Sequence, residues 1–95
     1  MVSAMVTGKA KVRNKNGIHL RLAGELVKAA NMFASEITIE KDSNQANAKS
    51  ILGVASLGAE FGAELVINAH GDDAEEAVAY LVNLIENGFE GIEDE

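Results

Sequence analysis

The stretch "NKNGIHLRLAGELVKAA", residues 14–30, passes from a turn pattern to a helix pattern at a histidine. The asparagines and glycine at its start are typical of a loop. From Leu20 onward apolar residues recur at helical spacing, while Glu25 and Lys28 fall on the opposite side. The apolar face consists of Leu22, Leu26, Ala29, Ala30 and Phe33. The stretch therefore predicts a helix that begins next to His19, one of only two histidines in the chain.

The chain on either side of this helix predicts four strands and two further helices. Residues 4–12 alternate loosely as a strand, with Gly8 as a candidate bulge. The later elements are expected as strands at 36–42, 44–49 and 63–69, a helix at 50–58 and a last helix that begins at 74 and stops at Asn87. Asp72 or Asp73 is expected to cap the last helix, with Glu75 and Glu76 as candidate capping-box partners.

The order of these elements, βαββαβα, predicts the fold class. A short turn joins the strands at 36–42 and 44–49 into a hairpin, so the sheet should be largely antiparallel. Helices packed on one face of such a sheet leave its other face to water. We therefore predict an α+β fold of two layers in one domain, residues 1–95, with an acidic tail over about 89–95.

The 95-residue chain has a net charge of −7, and its charges are unevenly distributed. The first 49 residues hold all eight basic residues and four acidic ones, whereas residues 50–95 hold eleven acidic residues and no basic one. A basic surface suited to an acidic partner or a phosphate group is therefore expected. Nucleic acid is not an expected partner, because the basic half contains a single aromatic residue, Phe33.

Features that are missing from the sequence exclude further classes of protein. The chain has no cysteine, which excludes disulfides and thiolate chemistry. No spacing of histidines and carboxylates fits a metal site, so neither a metal ion nor another cofactor is expected. No run approaches the roughly 20 apolar residues of a membrane span, and no leader pattern begins the chain, so we expect a soluble cytoplasmic protein.

His19 precedes the first turn of the predicted helix, where the backbone N–H groups have no partner within the helix. That end of a helix carries a partial positive charge, binds anions and disfavours an imidazolium. A neutral ring nitrogen can attack phosphorus, and Arg21 can donate charge-assisted hydrogen bonds to the phosphoryl oxygens. The residues thus predict a phosphoryl acceptor, although the local sequence also fits a histidine that only caps the helix.

The segments "NGIHLRLAG", residues 16–24, and "NAKSILGVASLG", residues 47–58, resemble HPr, the histidine-containing phosphocarrier of the bacterial phosphoenolpyruvate-dependent sugar phosphotransferase system. The resemblance extends over about residues 4–88 and includes the element order and the "GDD" turn before the last helix. It implies an open-faced β-sandwich, in which three helices cover one face of four antiparallel strands. It also implies a stoichiometric phosphoryl carrier rather than an enzyme.

The same resemblance implies roles for three residues. His19 matches the histidine that takes a phosphoryl group on Nδ1 from Enzyme I and passes it to EIIA proteins, and Arg21 matches the arginine that assists. Ser50 matches the serine that HPr kinase/phosphorylase modifies in many bacteria, and a transcriptional regulator is a further expected partner. From the sequence alone, Ser50 also fits a plain N-cap of its helix.

Partner proteins are expected to dock on a small apolar patch beside His19 and Ser50. Its expected members are Leu20, Ile51, Leu52 and Ala55, with Arg21, Lys28 and Lys49 around them. Only one of Ile51 and Leu52 can face inward on a helix, so at least one is exposed. Such a patch suits brief, weak encounters, and the chain itself is expected to be a monomer.

Leu22 departs from the family pattern, in which proline usually follows the motif arginine. Proline lacks the N–H group that the first helical turn leaves unpaired, so leucine restores a donor there. The fold is expected to survive this change. The departure leaves a second function open, that of a regulatory paralogue in carbon or nitrogen control that binds partners according to its phosphorylation state.

Overall fold

The structure, a computed structural model, describes residues 5–90. The order of its elements is the predicted βαββαβα. The elements are β1 (Met5–Lys11), α1 (Leu20–Ala30), β2 (Glu36–Lys41), β3 (Asn44–Asn47), α2 (Ile51–Ser56), β4 (Glu64–His70) and α3 (Ala74–Glu86). Ala4, which the sequence pattern assigns to the first strand, lies outside the described residues.

The four strands form one antiparallel sheet in the order β1-β4-β2-β3. The central strand β4 pairs with β1 along its whole length and with β2 over most of it. Strands β2 and β3 form the predicted hairpin. Because every neighbouring pair is antiparallel, the prediction of an antiparallel sheet is confirmed.

Gly8 does not form the predicted bulge. It pairs in continuous register with Ile67 of β4. A Cβ atom at this position would lie 2.6 Å from Cγ1 of Val78 in α3. The glycine therefore lets α3 approach the sheet, which is a packing requirement that the strand pattern alone does not reveal.

The two faces of the sheet differ in burial. Alternate residues of β2 and β4 are buried, and they are Ile37, Ile39, Leu65, Ile67 and Ala69. The residues between them, such as Thr38 and Asn68, are only partly buried. Helix α3 packs on β1 and β4, and α1 packs on α2 and α3. The sheet therefore has one covered and one open face, and the predicted open-faced fold is confirmed.

Phe89 corrects the predicted start of the acidic tail. Its side chain is fully buried and is among the largest in the core. Its N–H group donates to the carbonyl oxygen of Leu84 at 2.9 Å, which turns the chain back after α3. The prediction of a tail from residue 89 is therefore wrong at Phe89, because burial of one large aromatic ring outweighs the acidic residues around it. Residues 91–95 of that tail lie outside the described part of the chain.

Asp73 occupies the N-cap position of α3, but its side chain makes no capping hydrogen bond. Its carboxylate instead accepts hydrogen bonds from the N–H of Ala34 at 2.8 Å and from the N–H and hydroxyl of Ser35. The predicted cap position is therefore confirmed at Asp73, but no side-chain cap forms, and the carboxylate instead ties the turn before α3 to the turn after α1. These donors, the Ser35 hydroxyl first among them, lower the pKa of Asp73.

The Asp73→Asn variant is expected to lose stability mainly at neutral pH. The pKa of Asp73 is lower in the folded chain than its ordinary value of 3.8. The stabilisation is therefore present above that value and is lost as the pH falls through the folded-state pKa. Thermal unfolding from about pH 7 to about pH 2 should show a gap in Tm between variant and parent that closes in acid. Asp72→Asn, at the exposed neighbouring position, is the control; a gap for Asp73→Asn that persists unchanged in acid contradicts this account.

Candidate functional site

His19 is the N-cap residue of α1, as the sequence predicts, and its backbone is extended with φ −77° and ψ −179°. Its carbonyl oxygen accepts a helical hydrogen bond from the N–H of Ala23 at 2.9 Å. The N–H groups of Leu20, Arg21 and Leu22 lie before this first helical bond and therefore have no acceptor within the helix. The side chain of His19 makes no capping hydrogen bond, and the residue is half-buried. A partly accessible imidazole thus stands at the end of α1 that attracts anions.

The loop before His19 is held by the loop that follows α2. The N–H of Ile18 donates to the carbonyl oxygen of Ala59 at 2.8 Å. Gly17 has φ +74°, and a Cβ atom there would lie 2.4 Å from the same Ala59 oxygen. Only glycine allows this close approach, so Gly17 is a positioning residue for His19. The sequence pattern marks Gly17 as a loop residue and gives no sign of its contact with Ala59.

The loop after α2 is itself bonded to the end of β1 and to β2. The N–H of Val12 donates to the carbonyl oxygen of Ala63 at 2.9 Å, and the N–H of Gly62 donates to the carbonyl oxygen of Val12 at 2.9 Å. The side chain of Glu60 lies 3.3 Å from Nζ of Lys41 in an exposed ion pair. The pKa of Glu60 is lowered, first by a hydrogen bond from its own backbone N–H and second by the hydrogen bond from Lys41. The end of β1, the loop after α2 and the loop before His19 therefore form one connected support.

Arg21 and Leu22 point in different directions from the first turn of α1. Arg21 is exposed, and its side chain makes no hydrogen bond or ion pair with any residue between 5 and 90. Leu22 is fully buried, and it fills the core where the helix begins. The guanidinium of Arg21 is thus available to an anion near His19, whereas the side chain of Leu22 serves packing.

Ser50 is the N-cap of α2, and this sequence prediction is confirmed. Its backbone is extended, with φ −115° and ψ 115°, and its hydroxyl oxygen accepts a hydrogen bond from the N–H of Gly53 at 3.0 Å. The residue is half-buried. A hydroxyl that faces the start of a helix is in a position where an added phosphate would be tolerated electrostatically.

The Ser50→Ala variant is expected to lose about 1 kcal/mol of stability, because the N–H of Gly53 loses its acceptor. Ser50→Asp should lose less, since aspartate also caps helices and its charge is favourable there. Urea unfolding of both variants measures this difference. Ser56→Ala, in the same helix but without a capping role, is the matched control. A loss for Ser50→Ala no larger than that for Ser56→Ala would show that the hydroxyl does not act as a cap.

Helices α1 and α2 run antiparallel beside each other. The start of α1 meets the end of α2 through Ile18 and Ala59, as described above. The end of α1 meets the start of α2, because Nζ of Lys49 donates to the carbonyl oxygen of Phe33 at 2.7 Å. His19 at the start of α1 and Ser50 at the start of α2 therefore lie at opposite ends of this pair of helices.

The residues predicted for the apolar patch lie on α1 and α2. Leu20 is 62% exposed, and both Ile51 (44%) and Leu52 (78%) are exposed, so neither belongs to the core. Ala55 is half-buried, and Val54 provides the inward contact of α2. The expectation that at least one of Ile51 and Leu52 faces solvent is therefore confirmed.

The three basic residues predicted around the patch differ in their contacts. Lys28 is exposed and forms an ion pair with Glu25 at 3.4 Å. Lys49 is half-buried, and its ammonium faces the turn after α1. Within residues 5–90, Arg21 is thus the member of this set whose charge is not already engaged.

Other kinds of site are not assembled in the part of the chain that the structure describes. His70 ends β4, opposite Glu36 and Met5, and is exposed at the other end of the strands from the loops that hold His19. No group of three or more metal-binding side chains occurs within residues 5–90. No described helix has the length and apolar character that a bilayer span requires.

Comparisons with known proteins agree with this geometry. A family model described as the PTS HPr component phosphorylation site matches residues 6–87. The HPr-like protein Crh of Bacillus subtilis is 40% identical over 82 residues, which are 86% of this chain and 96% of Crh. The phosphocarrier protein HPr of Treponema pallidum is 38% identical over 86 residues, which are 90% of this chain and 98% of that protein.

Solved structures give the same family. HPr-C-His from Thermoanaerobacter tengcongensis is 44% identical with a TM-score of 0.85, and the match covers 94% of this chain and 99% of that one. An HPr dimer from the same organism is 47% identical with a TM-score of 0.70, covering 82% and 90%. Because a dimer is known among these relatives, the expected monomer is not confirmed. The family model spans nearly all of the described chain, and with these relatives it shows that the protein belongs to the HPr family of phosphocarrier proteins.

Proposed function

We propose that this protein is a phosphocarrier of the phosphoenolpyruvate-dependent sugar phosphotransferase system. It accepts a phosphoryl group on His19 from Enzyme I and passes it to EIIA proteins. It is a stoichiometric carrier in the cytoplasm and acts as a monomer. The observation that carries the proposal is the half-buried imidazole at the N-cap of α1, beside three N–H groups that precede the first helical bond.

The proposed chemistry is an in-line displacement at phosphorus. A ring nitrogen of His19, Nδ1 by family resemblance, donates its lone pair to phosphorus, and the bond from phosphorus to the donor group breaks with its electrons leaving on the donor. The N–H groups at the start of α1 and the guanidinium of Arg21 stabilise the three phosphoryl oxygens. Transfer to an EIIA protein reverses these steps, so the chain ends unchanged.

The apolar patch of Leu20, Ile51, Leu52 and Ala55 is the proposed docking surface for Enzyme I and EIIA proteins. Its exposed leucine and isoleucine side chains supply contact area, and Arg21 at one end supplies positive charge for acidic partners. A small patch of this kind gives fast and weak association, which a carrier that visits several partners requires.

Ser50 is the proposed regulatory site, modified by an HPr kinase/phosphorylase. A phosphate there adds about −1.5 to −2 charges at the start of α2, and the exposed Leu52 lies two residues away. The added charge would repel acidic partners from the patch and attract a partner that bears arginine, such as a transcriptional regulator.

A regulatory paralogue is the second candidate function. The observations that favour it are the similarity to the HPr-like protein Crh and the leucine at position 22. In this alternative, partner binding controlled by Ser50 matters and His19 is idle. The presence of His19 at the N-cap of α1 supports the carrier function instead.

Labelling with phosphoenolpyruvate and Enzyme I distinguishes these functions. The carrier function predicts about one phosphate per chain that is labile in acid and stable in base, as phosphohistidine is. The regulatory alternative predicts labelling only from ATP and a serine kinase, with phosphate that is stable in acid. If phosphoenolpyruvate and Enzyme I give no label while the kinase does, the carrier proposal is wrong.

A further inference from the structure

A second apolar surface lies between α1 and α3, outside the patch assigned to Enzyme I and EIIA proteins. Met32 is 59% exposed and Tyr80 is 45% exposed, and the half-buried Leu84 lies beside them. Tyr80 lines two depressions, of 200 Å³ and 430 Å³. We call this surface, defined by Met32, Phe33, Ala79, Tyr80 and Leu84, the Tyr80 groove.

The ring of Tyr80 is held in place rather than left to move in solvent. Its centroid lies 5.9 Å from that of Phe33, with the two planes tilted by 57°. The carbonyl oxygen of Phe33 in turn accepts a hydrogen bond from Lys49. A large side chain that is already ordered loses little entropy when a partner binds, which is a property of residues that dominate binding energy.

The charge around the Tyr80 groove is negative. Glu76 lines one depression, and Glu90 lines a third depression that Tyr80 also lines. The only cation among the residues that line the three depressions is Lys28, which is already paired with Glu25 at 3.4 Å. The groove is therefore opposite in charge to the Arg21 end of the phosphocarrier patch, and acidic partners of that patch do not suit it.

We propose that the Tyr80 groove is a second docking surface that binds a cationic amphipathic helix of a partner protein. A groove between two helices suits the apolar face of a third helix, and lysine or arginine beside that face would meet Glu76 and Glu90. An arginine side chain can also stack on the exposed part of the Tyr80 ring. The proposal does not depend on phosphorylation of His19, because Met32 and Phe33 follow the end of α1 whereas His19 precedes its start.

An NMR titration of the full chain tests the proposal. The probe is a synthetic amphipathic helical peptide with leucine on one face and lysine and arginine on the other. The expected result is amide shift changes confined to residues 28–33 and 76–90. A scrambled peptide of the same composition has the same charge but no apolar face, and it should bind at least about tenfold more weakly. Shifts centred on α2, or equal binding of the scrambled peptide, would overturn the proposal.

Two variants separate docking from an effect on folding. Tyr80→Ala removes the central ring, and Glu76→Lys reverses a charge at an exposed position; each should weaken peptide binding by about tenfold or more. Met5→Ala removes a side chain of similar exposure, 61%, from the first strand and should leave binding unchanged. Unchanged binding in Glu76→Lys and in folded Tyr80→Ala overturns the proposal. A dimer of the chain alone that Tyr80→Ala dissociates would also overturn it, because a second copy would then occupy the groove.

Discussion

The His19→Ala variant is expected to accept no phosphate from phosphoenolpyruvate and Enzyme I. The variant lacks the ring nitrogen that attacks phosphorus, and the N–H groups at the start of α1 cannot replace a nucleophile. The rate of acid-labile labelling should fall by at least about a thousandfold, to the level of the background. Rapid-quench labelling of the variant and the parent measures this rate.

The control for this experiment is the other histidine. His70 is exposed at the end of β4, and His70→Ala should be labelled at the parental rate. Circular dichroism of both variants checks that the fold is kept. Acid-labile labelling that survives in His19→Ala, or that is lost in His70→Ala, would contradict the assignment of His19 as the acceptor.

The Gly17→Ala variant is expected to lose about 2–5 kcal/mol of stability. Part of the loss is backbone strain, because φ is +74° and a residue with a Cβ atom avoids that conformation. The rest comes from the Cβ atom itself, which would lie 2.4 Å from the carbonyl oxygen of Ala59 and must displace one of the two loops. A loss of this size is a large share of the stability of a small domain. Chemical denaturation measures it.

Gly62→Ala is the matched control for Gly17→Ala. Gly62 has φ +85°, but a Cβ atom there would meet nothing within 4 Å. This variant should therefore lose only the stability that backbone strain costs, about 1–2 kcal/mol.

Gly17→Ala should also slow labelling of His19 in the fraction that remains folded, because the clash moves the loop that carries the histidine. Equal losses of stability in the two variants would show that the contact with Ala59 does not position that loop.

The elements of the fold were predictable because each carries a local pattern. The helical spacing after Leu20 predicts α1, and the apolar alternation around Ile37 and Ile67 predicts two strands. The N-cap role of Ser50 follows from a serine directly before an apolar helical run. In these cases the residues that determine the structure are neighbours in the sequence.

The features that were mispredicted depend on contacts between residues far apart in the sequence. Asp73 has the sequence signature of a cap, but Ser35 offers it better donors across the fold. Gly8 makes room for α3, and Phe89 returns to the core after α3 ends. No local pattern encodes such pairings, because they exist only when the chain is folded.

The candidate site was also only partly predictable from local sequence patterns. The position of His19 at the start of α1, with Arg21 in the first turn, follows from the local pattern. The support of that loop by Ala59 and the engagement of Lys49 with Phe33 do not, since they join separate segments. The local pattern thus locates the proposed phosphoryl acceptor, and the long-range contacts determine how firmly its loop is held.

In the proposed phosphorylated state, the phosphoryl group on His19 lies against the N–H groups at the start of α1. Amide and phosphorus NMR spectra recorded before and after phosphorylation by Enzyme I test it most directly. We expect a phosphohistidine resonance in the phosphorus spectrum. In the amide spectrum we expect the largest shift changes at Leu20, Arg21 and Leu22, with α3 unaffected. A phosphate on any other residue, or a phosphorylated His19 that leaves those three amides unmoved, would contradict it.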